Sequence, residues 1–318
     1  MTPAHARPDH GRGTISIVDG DDAAPEGSET LLNLAKTGVI ELPVQPAAAA
    51  EVMRLCQMAN LPVERMAGTI VQEPALAARV LQLANSAFYG SGRPVANIQH
   101  ALMRVGERGL RSVLLGAAAG RVMSVRGHPE LTRALQVRSV GAALGAEAIL
   151  RRLGNPRDDA FAAGLLHDLG WSIGVGLATR YRDKLPAIWA EKPTAMLTAV
   201  DAVHAELGAL VTAQWRFPPS LSAAIRWHHD PSAAVVGAPI AFAVTGAIRL
   251  LDRLGVCPEA PPSDDRDPIL TRIGLSAEDN LEVRREIWTE LERLQLVRER
   301  RRADVPVRAD RRKLRKAG

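Results

Sequence analysis

Four histidines and one aspartate lie at positions where apolar helices normally carry apolar side chains. His167 and Asp168 are adjacent in GLLHDLG, His204 begins HAELGA, and His228 and His229 form a pair in AIRWHHDP. Neutral imidazole nitrogen and carboxylate oxygen are the usual protein ligands of divalent metals. If the fold brings these side chains together, they could hold a metal ion whose bound water attacks phosphorus. If these side chains no longer bind a metal, they would instead indicate a regulatory scaffold that does not catalyse a reaction.

Helical spacing predicts that these side chains point inward. His204 and His228 each fall on the apolar stripe of their own helix, and Asp168 shares a face with apolar residues earlier in its helix. Successive residues are about 100° apart around a helix, so His167 and Asp168 can converge only at a helix end or from two edges of a buried face. Gly170 is compatible with a helix end. One inward histidine is more often a hydrogen-bonded core residue than a ligand, but four with an aspartate favour a shared site.

Composition predicts an all-α protein. Hydrophobic residues make up 47% of the 318-residue chain, which is enough for a core, whereas aromatic residues make up only 3%. Alanine and leucine dominate and favour helices, and the sequence contains no convincing period-2 strand. Helical periodicity begins near Glu29 and continues to about Leu254 with breaks at glycine and proline, and one more helix is predicted over 277–301.

The positive charge of the chain is concentrated at its C-terminal end. The net charge is +5, but residues 298–318 contain ten basic and three acidic side chains and carry +7, so the rest of the chain carries −2. We expect this tail to be a solvated, disordered end, because charge runs usually are. The alternative is a tail that binds nucleic acid or an anionic surface.

Other features place the protein in the cytoplasm. No apolar run is judged long enough to span a bilayer, and the N-terminal residues lack the apolar core of a secretory signal. Cys56 and Cys257 are the only cysteines and lie in aliphatic surroundings, which argues against a disulfide framework and fits a reducing compartment.

The stretch from Leu42 to about Leu254 resembles an HDOD domain, a regulatory relative of the HD-type metal-dependent phosphohydrolases. The resemblance is carried, in the order of the family, by Leu42-Pro43, EPAL from Glu73, LANSAFYG from Leu83, the segment 98–106, GLLHDLG from Gly164, HAELGA from His204, Trp215, and WHH from Trp227.

The resemblance implies a two-lobed helical fold and a role in bacterial signalling or gene regulation, with a signalling or regulatory protein as partner. On this basis we expect an N-terminal lobe over 29–124 and an HD-like lobe over 125–256, which together form the HDOD domain 29–256. The predicted flanking parts are a disordered segment 1–28, a linker 257–274, and a C-terminal helix with its basic tail over 275–318.

Two positions depart from the metal-binding pattern that the resemblance implies. LQVRSVGAA is similar to the segment that supplies an upstream histidine ligand in HD enzymes, and Arg138 stands at that position. A guanidinium has no lone pair and repels a cation. The segment IAFAVTGAIRLL matches the one that supplies a closing aspartate and offers Thr245, a poor substitute for a carboxylate on a hard metal. The GYP triplet of cyclic-di-GMP phosphodiesterases is also absent.

The sequence therefore predicts a non-catalytic regulatory scaffold with no cofactor and with a vestigial metal site. A buried guanidinium without a partner is costly, so we predict a direct ion pair between Arg138 and Asp168. The alternative is that Arg138 extends to solvent along its aliphatic stem. A second hypothesis for function is a metal-dependent phosphohydrolase that uses His167, Asp168, His204, His228 and His229. A third is nucleic-acid binding through the tail 298–318.

Overall fold

We analysed a computed structural model of the chain. It describes residues 25–43, 70, 74–85, 95–106, 110, 123–157, 159–254, 267–294 and 296–297. Most of the segment predicted to be disordered, the LANSAFYG motif beyond Asn85, both cysteines and the basic tail 298–318 lie outside the described residues.

The secondary structure of the described residues is helical, which confirms the predicted all-α fold. A helical segment covers 98–106. The other α-helices are α1 (Ser28–Lys36), α2 (Pro74–Ala84), α3 (Pro129–Arg152), α4 (Ala160–Leu166), α5 (Leu169–Arg180), α6 (Ile188–Glu191), α7 (Pro193–Gln214), α8 (Pro219–Arg226), α9 (Ala238–Arg253), α10 (Pro268–Ile273) and α11 (Ala277–Arg293). Short 3₁₀ turns cover Arg182–Lys184 and Pro231–Ala233.

Helix α3 lies at the centre of the helices that follow residue 125, the part of the chain predicted to form the HD-like lobe. It packs against α4, α9 and α11, while α5 packs against α7, and α8 lies between α7 and α9. The middle of α3 reads VGAALGAEAI, and nearly all of these small or apolar side chains are buried. Small side chains let neighbouring helices approach closely on several sides at once, so α3 can be covered on more than one face. This arrangement brings α3, the α4–α5 junction, α7, α8 and α9 around one point.

The C-terminal helices belong to the same body. Helix α10 lies inside the segment 257–274, so the predicted linker is wrong at its C-terminal end. The side chain of Asp267 caps α10 by accepting hydrogen bonds from the backbone N–H groups of Ile269 and Leu270. Helix α11 ends at Arg293 and not at the predicted 301. Its buried face packs on α3, and Arg152 of α3 forms ion pairs with acidic side chains of α11.

Two segments of the core are apolar enough to resemble membrane spans. Residues 160–180 and 193–214 pass a test of length and hydropathy, so the expectation that no apolar run reaches this length is wrong for them. Within the fold, 83% and 56% of the respective apolar windows are buried. Packing in the helical core therefore accounts for their composition.

Candidate functional site

His167 and Asp168 occupy the two-residue junction between α4 and α5. Helix α4 ends at Leu166 and helix α5 begins at Leu169. Because the two adjacent side chains lie at a helix end, both can reach the same buried space. Gly170 makes this position possible, because a Cβ atom at Gly170 would lie 1.8 Å from the carbonyl oxygen of His204. Only glycine lets α5 approach the backbone of α7 this closely.

Three of the histidines are oriented by their own backbone. The Nδ1 atoms of His167, His204 and His228 lie 2.7, 2.5 and 2.6 Å, respectively, from the carbonyl oxygen three residues earlier. A carbonyl oxygen can only accept a hydrogen bond, so each Nδ1 carries the proton and, in the neutral ring, each Nε2 offers a lone pair. The backbone therefore fixes the tautomer and turns three Nε2 atoms toward a common centre.

These atoms converge on Asp168 to form the histidine cluster, which consists of His167, Asp168, His204, His228 and His229. The Nε2 atom of His167 lies 3.0 Å from Oδ2 of Asp168, and those of His204 and His228 lie 3.4 and 3.8 Å from Oδ1. The Nε2 atoms of His228 and His229 are 3.3 and 3.1 Å from that of His204. His229 is more exposed than the other four. The structure thus brings together all five side chains that the sequence singled out.

The cluster contains ligand sets of the kind that hold a metal. His204, His228 and His229 form one set and His167, Asp168 and His228 another, with the ligand atoms of each within 4.8 Å of one another. Neutral imidazoles that face each other through lone pairs repel, so the cluster needs a proton or a cation at its centre. The imidazole donors fit a divalent transition metal, and histidines that bind metals commonly donate their other ring N–H to a carbonyl oxygen, as three of these histidines do.

Arg138 supplies a positive charge at the edge of the cluster. This α3 residue is 2% exposed, and its Nε donates a hydrogen bond to Oδ2 of Asp168 at 3.1 Å. The structure contains the ion pair predicted from the sequence, and the alternative in which Arg138 extends to solvent is wrong. The Nη1 atom lies 3.7 Å from Oδ1 of Asp252. The guanidinium therefore stands between two buried carboxylates.

Thr245 and Asp252 lie on α9, two helical turns apart and on the same face. The Thr245 hydroxyl lies 2.7 Å from the carbonyl oxygen of His228 and 2.9 Å from that of Ala241, so it contacts the backbone behind the histidine pair. Asp252 is a site residue that was not predicted from the sequence. The signal that could have revealed it is an acidic side chain seven positions after Thr245 on an otherwise apolar face.

The cluster is electrostatically asymmetric. Burial alone would raise the pKa of Asp168, but the nearby charges of His167 and Arg138 hold this pKa well below its ordinary value. Burial opposes protonation of His204, yet the hydrogen bond and charge of Asp168 raise the pKa of this ring. Burial and neighbouring histidines lower the pKa values of His228 and His229 well below the ordinary value. Burial raises the pKa of the Asp252 carboxyl.

These pKa shifts predict a loss of stability on mild acidification. A histidine whose pKa is lowered by folding binds more protons when unfolded, so stability falls as the pH drops below the unfolded pKa of about 6.5. We expect His228 to contribute up to about 1.4 kcal/mol per pH unit between pH 6.5 and 5, and His229 to add less because water reaches it. Folding raises the pKa of His204, so this ring acts in the opposite sense, and the stability it contributes is lost as the pH rises above about 6.5. Asp168 contributes only below about pH 4.

Urea unfolding in the presence of a chelator, repeated across this pH range, measures the predicted slope. Replacing the exposed His100 with glutamine should leave the slope unchanged. A flat or opposite pH dependence would show that the buried His228 is not held in its neutral form by the fold.

The fold and site define a helical HD-like domain with a histidine cluster. The HDOD domain family matches residues 42–231, and the chain belongs to this family. An uncharacterised protein from Treponema pallidum (strain Nichols) is 30% identical over 227 residues, in a match that covers 67% of this chain but only 43% of that relative. The chain therefore corresponds to less than half the length of this relative.

Solved structures share the fold. An HDOD domain protein of unknown function from Geobacter sulfurreducens is 24% identical with a TM-score of 0.57, and the match covers 83% of this chain and 93% of that one. A suspected signal transduction protein from Marinobacter aquaeolei VT8 is 18% identical with a TM-score of 0.58, over 90% of this chain and 69% of that one. A suspected metal-dependent phosphohydrolase from Shewanella amazonensis SB2B is 20% identical with a TM-score of 0.54, over 83% and 97% of the two chains. At these identities the likeness extends to the fold alone.

Proposed function

We propose that this HDOD protein is a cytoplasmic, non-catalytic regulator that acts in signal transduction by binding a regulatory protein or a small ligand. The observation that carries the proposal is the buried hydrogen bond of 3.1 Å between Nε of Arg138 and Oδ2 of Asp168. A cation at the cluster would share Asp168 with a permanently charged guanidinium. That repulsion opposes the tight metal binding on which metal-dependent hydrolysis relies.

The environment of Asp168 also shows why this carboxylate needs a countercharge from the protein. Asp168 is 1% exposed, so its charge is compensated by protein groups and not by water. Arg138 provides a permanent compensating charge, whereas the histidines compensate only when they are protonated. The arginine therefore keeps the cluster assembled without a metal, as a structural centre that joins α3, the α4–α5 junction, α7 and α8.

The second candidate is a metal-dependent phosphohydrolase. It is favoured by one observation, the convergence of the Nε2 atoms of His167, His204 and His228 on Asp168. A divalent ion bound there would lower the pKa of a bound water and would provide a nucleophile for a phosphate ester. The side chains themselves would orient that ion, and Thr245 would leave the set one carboxylate short of the pattern implied by the HD enzymes.

We predict that the purified full-length protein does not hydrolyse phosphodiesters. The assay offers bis(p-nitrophenyl) phosphate and cyclic dinucleotides with Mn²⁺, Co²⁺ or Mg²⁺, and compares the wild type with Asp168→Asn. The wild type should be no faster than the variant, because both lack a complete metal site. Hydrolysis that requires Asp168 would overturn the proposed function and establish the enzyme.

The basic tail supports only an additional hypothesis. Residues 298–318 lie outside the described residues, and binding to nucleic acid or to an anionic surface rests on charge alone. We retain it as a property that the tail could add to the regulatory domain.

A further inference from the structure

We propose that Arg138 is a two-position counter-ion, which pairs with Asp168 when the histidine cluster holds no metal and shifts to Asp252 when a divalent cation binds. The inference rests on the proposed function, in which Arg138 supplies the positive charge beside Asp168. It extends that function by proposing that the cluster binds a divalent transition metal and that its ion pairs change when the metal binds.

The first support is the position of Arg138 between two carboxylates on different elements. Its Nε contacts Asp168 at the α4–α5 junction at 3.1 Å, and its Nη1 lies 3.7 Å from Oδ1 of Asp252 on α9. The second distance is too long for a hydrogen bond but less than one ångström from a good one. A small displacement of the guanidinium therefore exchanges one carboxylate for the other.

The second support is an independent feature of Asp252. This residue is 5% exposed, and its Oδ1 atom is a buried acceptor without a hydrogen-bond partner in the described part of the chain. Leaving a buried carboxylate oxygen without a donor is unfavourable, so a donor that moved toward it would gain a charge-assisted hydrogen bond. Asp252 is thus a prepared second position for the guanidinium.

The third support comes from the cluster itself. The Nε2 atom of His167 is buried 3.0 Å from Oδ2 of Asp168 without the geometry of a hydrogen bond. Arg138 contacts the same Oδ2 atom. A cation that binds His167 and Asp168 therefore competes directly with Arg138 for one oxygen, and it binds more easily if the displaced guanidinium has another carboxylate nearby.

A metal that binds in this way changes the contact between two helices. Arg138 belongs to α3 and Asp252 to the last turn of α9, and these two helices pack against each other and against the C-terminal helices. The shift strengthens an α3–α9 ion pair and weakens the link from α3 to the α4–α5 junction. This gives the regulatory domain two arrangements that a cation can bias.

The test is a double-mutant cycle on metal affinity. Co²⁺ is titrated into the full-length wild type, Asp252→Asn, Arg138→Gln and the double variant, with calorimetry and visible absorption as readouts. Asp252→Asn should weaken Co²⁺ binding about tenfold, because the guanidinium loses its second carboxylate and stays on Asp168. Arg138→Gln should strengthen binding about tenfold, because a permanent positive charge beside the site is removed. In the Arg138→Gln background, Asp252→Asn should change the affinity by less than about twofold, because no guanidinium remains to be received.

Glu278→Gln is the matched control, since it removes the same charge from an exposed position of α11 and should not change the affinity. Equal weakening by Asp252→Asn in both backgrounds, or no gain in affinity from Arg138→Gln, would contradict the proposal.

If Arg138→Gln does not fold, NMR spectroscopy of the wild type and of Asp252→Asn tests the shift of the guanidinium instead, through the ¹H–¹⁵N signal of Arg138 Nε. It should move on addition of Zn²⁺ to the wild type and move much less in Asp252→Asn, and an unmoved wild-type signal refutes the shift. Neither experiment measures hydrolysis. A negative result would therefore refute the movement of Arg138 without refuting the proposed non-catalytic function.

Discussion

Replacing Arg138 with alanine should destabilise the folded protein by about 3–5 kcal/mol at neutral pH. The variant leaves Asp168, which is 1% exposed, without its permanent countercharge, and it leaves the buried Asp252 without the cation that faces it. Removing one partner of a buried ion pair destabilises a protein far more than the intact pair stabilises it, because an uncompensated charge remains in a medium of low polarity. Urea unfolding in a chelator measures the loss.

Two variants make this result specific. Arg151→Ala removes an arginine from the same helix whose side chain is 54% exposed and pairs with Glu286, and it should cost no more than about 1 kcal/mol. Arg138→Ala combined with Asp168→Asn should be more stable than Arg138→Ala alone, since the second change removes the uncompensated charge. If Arg138→Ala costs no more than Arg151→Ala, the buried pair does not hold the cluster together.

Replacing Gly170 with alanine should destabilise the protein by about 4 kcal/mol or more, or should prevent recovery of folded protein. A Cβ atom there would lie 1.8 Å from the carbonyl oxygen and 2.6 Å from the carbonyl carbon of His204. Both of these are backbone atoms of α7, so no side chain can rotate away and one helix must move as a whole. The movement would also separate His204 from Asp168.

The same helix provides the control. Gly176 also lies in α5, but a Cβ atom at that position meets nothing within 4 Å. Gly176→Ala should therefore be neutral or stabilising by up to about 1 kcal/mol, since alanine is the better helix former. Similar stabilities of the two alanine variants, measured by thermal and urea unfolding, would show that α5 does not depend on the close approach at Gly170.

Much of the site could be predicted because its residues are polar side chains at positions where the helix faces are otherwise apolar. His167, Asp168, His204 and His228 are polar side chains on apolar stripes, and this conflict identified them before any distances were known. The family resemblance drew attention to Arg138, and the cost of burying its charge predicted a carboxylate partner. The same resemblance, carried by motifs in the family's order, then implied that these segments contribute to one site, which local patterns could not show.

Other features depend on relations that a local pattern does not contain. Helix α10 was missed because proline and aspartate dominate the residues before it, and its one well-buried position, Leu270, becomes recognisable only when α9 is in place. Asp252 was missed because a single acidic residue near a helix end usually faces solvent. Its proximity to Arg138 arises from the packing of α3 on α9, a long-range contact.

Whether Arg138 takes the place of a metal is measured by the metal content of the 318-residue protein, purified with neither added metal nor chelator and analysed by inductively coupled plasma mass spectrometry. If Arg138 supplies the positive charge that Asp168 needs, the wild type should retain far less than one equivalent of any transition metal. A full equivalent of Mn, Fe, Co, Ni or Zn in the wild type, lost in Asp168→Asn, would contradict the account, because it would show that a metal holds the histidine cluster despite Arg138.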